Sequence, residues 1–590
     1  MVETENRSSG RFIRRAAIAL LQGGLLWWLY RAVELETWPA TDRGWLIGLI
    51  AATILVPVSH YLMSELASDR RRYWLLPPLA LALFGFGWHH GAWTLDDLHF
   101  RSAAFALALA VLVFHALPFA QIWLARRRWR PQYEELFHYA WRNTLLLAFG
   151  GVFCGVFWLL LWLWGALFRM LGVDFFRDLF TEPYFAIPAT TVAVGIGLQL
   201  AGSVERLQNA LRNQVLTMLK WLLPLAMAIL AMFTLTLFIK SPELLLEQRR
   251  VISATWLLWL VALSVALLNT AYQDGRSAAP YPAWLGKAIR LIVPLLLPVS
   301  VLALYAIGVR VDSYGLTVAR GWGLLVAVLA LAYALGYAWA ALRKDAWMGG
   351  MGVVNVYVAL ATVVLLTLML SPVLSPERLA AASQTARVLA TQEEDSYRYL
   401  RFDSGRYGRA RLRRLAELRD HPQAEAIRAA AKRELERKLP WYERGAKETL
   451  TAEDFEVFPT GQALDPDVLA ALGATSRETF LHSCEPAEPC PMLFVDLNRD
   501  GENEVLVFLN YGTLALRRES GAWAALERMD GFRVAASSND RRTLRQALRD
   551  GSYVVRDLGW QVLEIRGEVY VFDDSPQPEP GESKSAPDAE

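Results

Sequence analysis

Oxygen-bearing side chains recur at every second position in the stretch FVDLNRDGENEVLVF near the end of the chain. Asp496, Asn498 and Asp500 are followed by Gly501, and Glu504 closes the series. Carboxylate and amide oxygens at this spacing are typical of loops that bind calcium, and a glycine permits the tight turn of such a loop. The pattern predicts a calcium site, and a hairpin turn that holds no metal is the alternative.

The spacing differs from that of an EF-hand. Position 12 of an EF-hand loop is a glutamate, whereas here it is Val507, and the flanking segments have the composition of strands. The stretch instead resembles the calcium loop of FG-GAP and integrin-type repeats, D-x-[DN]-x-D-G-x-x-[DE], in a single copy. That resemblance implies a backbone carbonyl ligand from Glu502 and side-chain ligands from Asp496, Asn498, Asp500 and Glu504.

Two of the three cysteines lie just before this loop. Cys484 and Cys490 flank the short segment EPAEP, while Cys154 lies in an apolar run. In an oxidising compartment such a pair closes a small disulfide ring, and two unpaired thiols are the alternative. A zinc site is disfavoured because His482 is the only other soft ligand nearby.

Two further clusters of charged groups could act on a phosphate-linked lipid, because paired carboxylates can hold a divalent ion or transfer a proton. The first cluster consists of Asp96, Asp97 and His99 in TLDDLHF, with His89 and His90 just before them. The second consists of Asp174, Arg177, Asp178 and Glu182 in DFFRDLFTEPYF. Solvated charges on interfacial helices are the alternative that we favour.

The elements that position these groups are mostly apolar, since 54% of the 590 residues are hydrophobic. Each apolar run holds roughly 20 residues, enough for a helix to cross a bilayer core of about 30 Å. Eleven such runs lie near residues 15–33, 44–64, 73–93, 102–124, 144–170, 184–203, 216–239, 250–271, 286–309, 317–341 and 348–371. The sequence therefore predicts an α-helical polytopic membrane protein with about eleven transmembrane helices.

Basic residues indicate the orientation of these helices. The clusters DRRRY and ARRRWR lie in loops on the same side as the N-terminus, which predicts a cytoplasmic N-terminus. An odd number of spans then places everything after about residue 372 outside the cytoplasm. Millimolar calcium is available there, where loops with a dissociation constant of roughly 10⁻⁴–10⁻³ M are useful. A nucleic-acid partner is excluded by the same compartment.

The interiors of the predicted spans hold no Asp or Glu. The polar exceptions are His115, Gln199, Lys220, Asn269 and Asn355. Transporters coupled to protons or sodium usually need an intramembrane carboxylate, so this pattern argues against that class.

Small residues within the spans predict close helix packing. They are Gly151 and Gly155 in one run and Gly195, Gly197 and Gly202 in another.

The pattern changes after the last apolar run. Residues 409–438 have helical composition, with Pro422 marking a turn between two helices. From about residue 490 short β-branched segments alternate with Gly, Asn or Asp turns, which predicts a C-terminal α+β extracytoplasmic domain. The predicted divisions are a cytoplasmic tail (1–14), a transmembrane bundle (15–371), a helical extracytoplasmic segment (372–480), a β-rich extracytoplasmic subdomain (481–575) and a disordered tail (576–590).

Two stretches carry a resemblance that extends over most of the membrane part. TEPYFAIPATTVAVGIGLQLAGSVERLQ lies between spans, and YRYLRFDSGRYGRARLRRL follows the last one. Both resemble a bacterial family known as domain of unknown function 4153. The resemblance implies a multi-pass protein of the bacterial inner membrane, and it implies no catalytic residue. In that membrane the orientation predicted from Lys and Arg makes the C-terminal domain periplasmic.

We interpret the sequence as a non-enzymatic envelope binding, scaffold or sensor protein. Its expected partners are the lipid bilayer and an envelope protein, cell-wall material or a lipid ligand. A transporter of a small solute or lipid is one alternative, and a polyprenyl-lipid-dependent transferase is another. A transporter requires a continuous polar cavity, whereas a transferase requires an external groove where Asp96, Asp97, Asp174 or Asp178 converge.

Overall fold

The structure is a computed structural model of the chain, and it forms two compact units, Met1–Glu436 and Arg437–Glu590. The residues that it describes are 2–63, 71–94, 100–128, 130–202, 205–246, 253–275, 280–343, 348–436, 451–459, 462, 464–475, 489–497, 500–509, 512–519, 522–525, 533–534, 547–557, 561–565 and 568–571.

The first unit is helical throughout its described part. Its bundle consists of α1 Val2–Glu34, α2 Arg43–Met63, α3 Arg72–His89, α4 Phe100–Arg126, α5 Tyr133–Met170, α6 Phe175–Thr181, α7 Pro183–Gly202, α8 Glu205–Lys220, α9 Leu223–Leu246, α10 Ala254–Tyr272, α11 Ala283–Ile292, α12 Leu296–Tyr314, α13 Val318–Leu342 and α14 Met351–Leu370. After the bundle come α15 Pro376–Thr391, α16 Glu394–Arg398, α17 Gly405–Ala416 and α18 Ala424–Glu436. Two π-helical turns, His90–Thr94 and Tyr399–Asp403, extend α3 and α16.

Ten helical segments of the described chain are long and apolar enough to cross a membrane. They are Arg14–Glu34, Arg43–Met63, Ala103–Arg126, Tyr133–Met170, Pro183–Gly202, Gln208–Ile239, Ala254–Tyr272, Ala283–Tyr314, Val318–Leu342 and Met351–Leu370. Large apolar side chains cover their outer faces, as Leu159 and Trp162 of α5 do with 63% and 65% exposure. A soluble protein rarely exposes such a surface, so the predicted polytopic helical membrane fold is confirmed.

The remaining predicted run, residues 73–93, corresponds to α3, which lies outside that set of ten. This helix has 18 residues and contains Pro77 and Pro78. It nevertheless packs antiparallel to α2 along its length. A methyl group added at Gly87 would lie 2.7 Å from Cα of Gly48 near the start of α2.

Both ends of α3 fix its course through the bundle. Its beginning, at Leu75, shares a core cluster with Leu62 at the end of α2. At its other end the ring of His90 stacks on Phe105 of α4 at a centroid distance of 4.0 Å. The helix therefore runs from the end of α2 to the start of α4, which are opposite ends of the bundle.

The bundle helices approach one another closely at glycines, but some of these glycines are not the predicted ones. Around Gly151 and Gly155 an added Cβ would meet nothing within 4 Å, so the predicted contact at this pair is wrong. The adjacent Gly150 makes the approach instead, because an added Cβ at Gly197 would lie 3.0 Å from its Cα. The sequence pattern located the pair of helices, and the rotation of α5 decides which glycine faces its neighbour.

Several polar side chains inside the bundle bond to one another or to the backbone. Nδ2 of Asn355 donates to Oδ1 of Asn269 at 2.7 Å, and Oη of Tyr337 lies 2.6 Å from Oδ1 of Asn355. Nδ1 of His115 donates to the carbonyl of Val111 at 2.9 Å. Satisfied groups of this kind hold helices together, which favours a packing role over a transport path.

The helices that follow the last span are fixed to the bundle by side chains of α15. Nε2 of Gln384 donates to the carbonyls of Tyr314 and Leu316 at 3.2 and 3.0 Å, and N of Leu316 donates to Oγ of Ser383 at 2.9 Å. Ser396 Oγ in turn donates to Oε1 of Gln384 at 2.8 Å. The loop between α12 and α13 is thereby the platform on which α15 and α16 lie.

The second unit contains two sheets and one α-helix of regular length, α19 Pro466–Thr475, in its described part. The first sheet has the order β1-β2-β3-β4-β5, with β1 Phe455–Phe458, β2 Cys490–Val495, β3 Glu504–Leu509, β4 Gly512–Glu519 and β5 Ala522–Ala525. The second has the order β6-β9-β8-β7, with β6 Arg533–Val534, β7 Tyr553–Asp557, β8 Gln561–Ile565 and β9 Glu568–Val571.

Only the β1–β2 pair is parallel among these described strands. Every residue of β2 is buried because the first sheet is covered on both faces. Val468 and Leu472 of α19 pack on one face, and Ala547 and Leu548 pack on the other. The predicted α+β character of the C-terminal part is confirmed.

Candidate ligand-binding cavity at the end of the bundle

A cavity of about 400 Å³ lies where α3, α13 and α14 meet the second π-helical turn. Its walls are mostly apolar, with titratable groups at a few points. The lining includes His89, His90, Phe105, Val318, Ala319, Glu377, Tyr399 and Asp403. A volume of this size and a wall of this kind are typical of sites for small organic ligands.

The sequence FDSGRYG builds one wall of this cavity. Gly405 has a φ of +58°, which lets the chain turn from the π-helical turn into α17. A Cβ at Gly408 would lie 2.2 Å from the carbonyl oxygen of Leu400, so only glycine permits this close approach. Oγ of the buried Ser404 donates to the carbonyl of Tyr399 at 3.0 Å. These three residues hold Tyr399 and Asp403 in the wall.

His89 connects the bundle to α17. Its Nδ1 lies 3.2 Å from the carbonyl oxygen of Leu370, and its Nε2 lies 2.9 Å from Oη of Tyr407. Because a carbonyl can only accept, Nδ1 carries the hydrogen, and in the neutral ring Nε2 accepts from the Tyr407 hydroxyl. Burial raises the pKa of the Tyr407 phenol, which preserves that hydroxyl as a donor.

A buried carboxylate faces the same cavity. Glu377 is 6% exposed, and its Oε2 accepts a hydrogen bond from Oγ of Ser375 at 2.6 Å. On the opposite wall N of Val318, at the start of α13, donates to Oη of Tyr399 at 2.7 Å. The cavity therefore places carboxylates and a phenol around an apolar interior, which suits a ligand that is polar at one end.

The predicted calcium loop has the local geometry of a tight turn in its described residues. Gly501 has a φ of +87°, and its N donates to Oδ2 of Asp496 at 3.1 Å. N of Glu502 donates to Oδ1 of Asp500 at 2.7 Å. N of Leu497 donates to Oε2 of Glu504 at 2.7 Å.

Glu504 is 5% exposed, and burial raises the pKa of its carboxyl, with Asp500 and Asp496 acting in the same direction. The predicted ligand Asn498 lies outside the described residues. Within the described residues no group of three or more His, Cys, Asp or Glu side chains is arranged to hold a metal ion. Calcium binding stays a prediction.

The disulfide also stays a prediction. Cys490 is fully buried at the start of β2, and Cys484 lies outside the described residues. Cys154 is a free cysteine in α5.

The carboxylates considered for a transferase are only partly described. Asp96, Asp97 and His99 lie outside the described residues. Asp174 and Asp178, at the start of α6 and within it, are 58% and 64% exposed and lie 3.7 and 3.6 Å from Arg169 and Arg177. Exposed pairs of this kind contribute little beyond solubility, which favours the interpretation of α6 as an interfacial helix with solvated charges.

Of the cluster around TLDDLHF, the described part of the structure places only His89 and His90 in a cavity. Sequence reasoning missed the groups that they meet there, namely Tyr399, Glu377 and Asp403. The signal that could have found Tyr399 and Asp403 is the pair of glycines in FDSGRYG, because glycines at positive φ and at close approach mark a built site.

The cavity lies within the part of the chain that is similar to a known family. The family model described as "Domain of unknown function (DUF4153)" matches residues 21–414, which include every residue of the cavity wall. No curated protein and no solved structure is similar enough to count as a match. Because the matched range covers more than half of the chain, the chain belongs to the DUF4153 family.

Proposed function

We propose that this membrane protein binds an amphiphilic small molecule in the cavity between α3, α13 and the π-helical turn Tyr399–Asp403. The observation that carries the proposal is the arrangement of Glu377, Tyr399 and Asp403 around an apolar space of about 400 Å³. The cavity lies at a bundle end, so a ligand can reach it from the bilayer or from water. This is a binding role, and the lipid-transport and transferase alternatives share its first step.

The test is retention of a ligand by the full-length protein after purification in mild detergent, measured by native mass spectrometry. Ala319→Trp places a large ring in the cavity wall, whereas Val328→Trp on the same helix replaces a side chain that is 45% exposed on the outer face. We expect wild type and V328W to retain the same amphiphile and A319W to lose it. Retention that is equal in all three proteins would contradict the proposal.

We propose further that the cavity and the second unit lie on the periplasmic side of a bacterial inner membrane. The distribution of Lys and Arg between loops supports this orientation. The ends of α3 and α14 and the start of α13 meet at the cavity, so these loops share one side.

Calcium binding by the loop 496–504 is a second candidate function, as part of an envelope-binding or scaffold role for the second unit. The buried carboxylate of Glu504 near Asp500 and Asp496 favours it, because a cation would neutralise this crowded charge. Isothermal titration of the full-length protein with calcium tests it. We expect heat from wild type and from Asp467→Ala, a control that removes an exposed carboxylate of α19, and none from Asp500→Ala. Absence of heat from wild type would leave the loop as a turn.

A further inference from the structure

A second pocket, of about 610 Å³, adjoins the cavity and is lined by four arginines and a tryptophan. Arg401 reaches it from the second π-helical turn, and Arg406, Arg409 and Arg413 reach it from α17. Trp93 closes it from the turn that follows α3. We call this the arginine pocket. Several separate elements converge on it, which distinguishes it from a charged face of a single helix.

The positive charge of the arginine pocket is not balanced by its own helix. α17 has five arginines and no acidic residue, and Arg406, Arg409 and Arg413 lie on one face at helical spacing. No ion pair joins Arg406 or Arg413 to a carboxylate in the described part of the chain. Burial lowers the pKa of the neighbouring Arg411, and the like charges of Arg414 and Arg378 act in the same direction. Arg406 and Arg413 therefore bring positive charge to the pocket that no acidic residue of α17 neutralises.

Guanidinium groups select the anion by shape as well as by charge. Each offers paired N–H donors that match two oxygens of a phosphate, and several guanidinium groups together match a multiply charged group. Trp93 stacks on Tyr407 with centroids 5.0 Å apart, next to the end of a bundle helix. Tryptophan at a helix end is typical of the level of lipid headgroups, where phosphates are concentrated.

The cavity and the arginine pocket share a wall. Tyr399 and Asp403 of the π-helical turn face the cavity, whereas Arg401 between them faces the arginine pocket. Tyr407 likewise contacts His89 on one side and Trp93 on the other. The two spaces therefore lie on either side of the same turn.

We propose that the arginine pocket binds the phosphate group of the ligand whose apolar part lies in the cavity, so that the ligand is a phosphate-bearing amphiphile. This inference rests on the proposed function of the cavity. The phosphate can belong to a membrane lipid or to a soluble phosphate compound, and the two sources differ in what the apolar cavity adds to the affinity.

The experiment measures binding of three probes to the full-length protein in an uncharged detergent, by microscale thermophoresis. The probes are dioctanoyl phosphatidic acid, dioctanoylglycerol, which lacks the phosphate, and inorganic diphosphate. The variant Arg406→Gln/Arg413→Gln removes two guanidinium groups from the pocket. The control Lys432→Gln/Arg433→Gln removes the same charge from exposed positions of α18. Arg406→Lys/Arg413→Lys keeps the charge and removes the paired donors, and it serves if the glutamine variant does not fold.

We expect R406Q/R413Q to weaken phosphatidic acid binding about tenfold or more, because two charge-assisted contacts are lost. K432Q/R433Q should bind as wild type does, and the lysine variant should be intermediate. A319W should weaken phosphatidic acid and leave diphosphate unchanged. Equal affinity of wild type for diphosphate and phosphatidic acid would indicate a soluble phosphate ligand. That result would support phosphate binding in the arginine pocket, and it would contradict the proposed function, in which the cavity binds an amphiphile.

Two results would overturn the inference. Equal binding of dioctanoylglycerol and phosphatidic acid in every variant would show that the phosphate adds nothing to the affinity. The cavity would then bind a ligand without help from the arginine pocket. Equal loss in R406Q/R413Q and K432Q/R433Q would show that net charge alone, and not the arginine pocket, attracts the anion.

Discussion

The hydrogen bond between His89 and Tyr407 connects two residues that are 318 positions apart in the sequence. A bond of this kind contributes about 0.5–1.5 kcal/mol to the free energy of unfolding. We therefore expect Tyr407→Phe and His89→Ala to be non-additive in a double-mutant cycle, with a coupling energy in that range. Thermal unfolding in detergent measures it. Strictly additive effects would mean that the two side chains act independently.

Gly408 provides a sharper prediction at the same scale. An added Cβ would lie 2.2 Å from the carbonyl oxygen of Leu400, which is backbone and cannot move aside without shifting the turn. Gly408→Ala should therefore lower the free energy of unfolding by about 1–3 kcal/mol. The matched control is Gly155→Ala in α5, where an added Cβ meets nothing within 4 Å. That change should be neutral or raise stability by up to about 1 kcal/mol.

The opposite signs expected for these two alanine variants make the pair informative. Both replace a helical glycine, so helix propensity favours alanine equally in each. If both variants gained stability, the contact between α17 and the π-helical turn would not be as close as we describe.

At the scale of elements, the helices of the bundle could be predicted from hydropathy, because a run of about 20 apolar residues is typical of a transmembrane helix. Rotation about each helix axis could not, which is why Gly150 makes the contact expected of Gly151. Strand β1 was also missed, because four residues carry too little periodicity and its parallel pairing with β2 depends on Cys490–Val495 far along the chain.

An acidic side chain connects α19 to the edge of the first sheet. Oδ1 of Asp465 accepts from N of Asp467 at 2.9 Å, and its Oδ2 accepts from Nε1 of Trp523 at 3.2 Å and from Arg518 at 3.4 Å. These donors, the Asp467 amide foremost, lower the pKa of the Asp465 carboxyl. A lowered pKa means that the folded state prefers the ionised form. Its contribution to stability is present above the unfolded-state pKa and is lost as the pH falls through the folded-state value.

We therefore expect β5 to exchange its amide hydrogens faster as the pH falls below the ordinary aspartate range, after correction for intrinsic exchange. Asp465→Asn should remove this dependence, whereas Asp467→Asn should retain it, because Asp467 contributes its backbone amide. Hydrogen exchange followed by mass spectrometry of β5 peptides measures the effect. An unchanged pH profile in D465N would assign the dependence to another group.

At the scale of the whole molecule, the candidate site illustrates what one sequence cannot specify. His89, Val318, Glu377 and Tyr399 come from segments separated by up to 310 positions, and no local pattern relates them. Their meeting depends on the start of α13 and the end of α14 lying beside the end of α3, and on Gln384 fixing α15 to the α12–α13 loop. The charged clusters that were conspicuous in the sequence, such as Asp174 and Asp178, lie exposed on the surface.

The course of α3 determines the topology of the whole chain. Ten crossings would place the N-terminus and the second unit on the same side, whereas eleven place them on opposite sides. The packing of α3 on α2 and the stacking of His90 on Phe105 carry the chain across the bundle, so we expect eleven.

Fusions of alkaline phosphatase and of green fluorescent protein, which are active on opposite sides of a bacterial inner membrane, measure this parity. We expect fluorescence from a fusion at the N-terminus and phosphatase activity from a fusion after residue 436. A fusion in the loop between α2 and α3 should report the cytoplasm, and one between α3 and α4 should report the periplasm. The same reporter active in both loops would mean that α3 does not cross the membrane. The chain would then have ten crossings, with the N-terminus and the second unit on the same side.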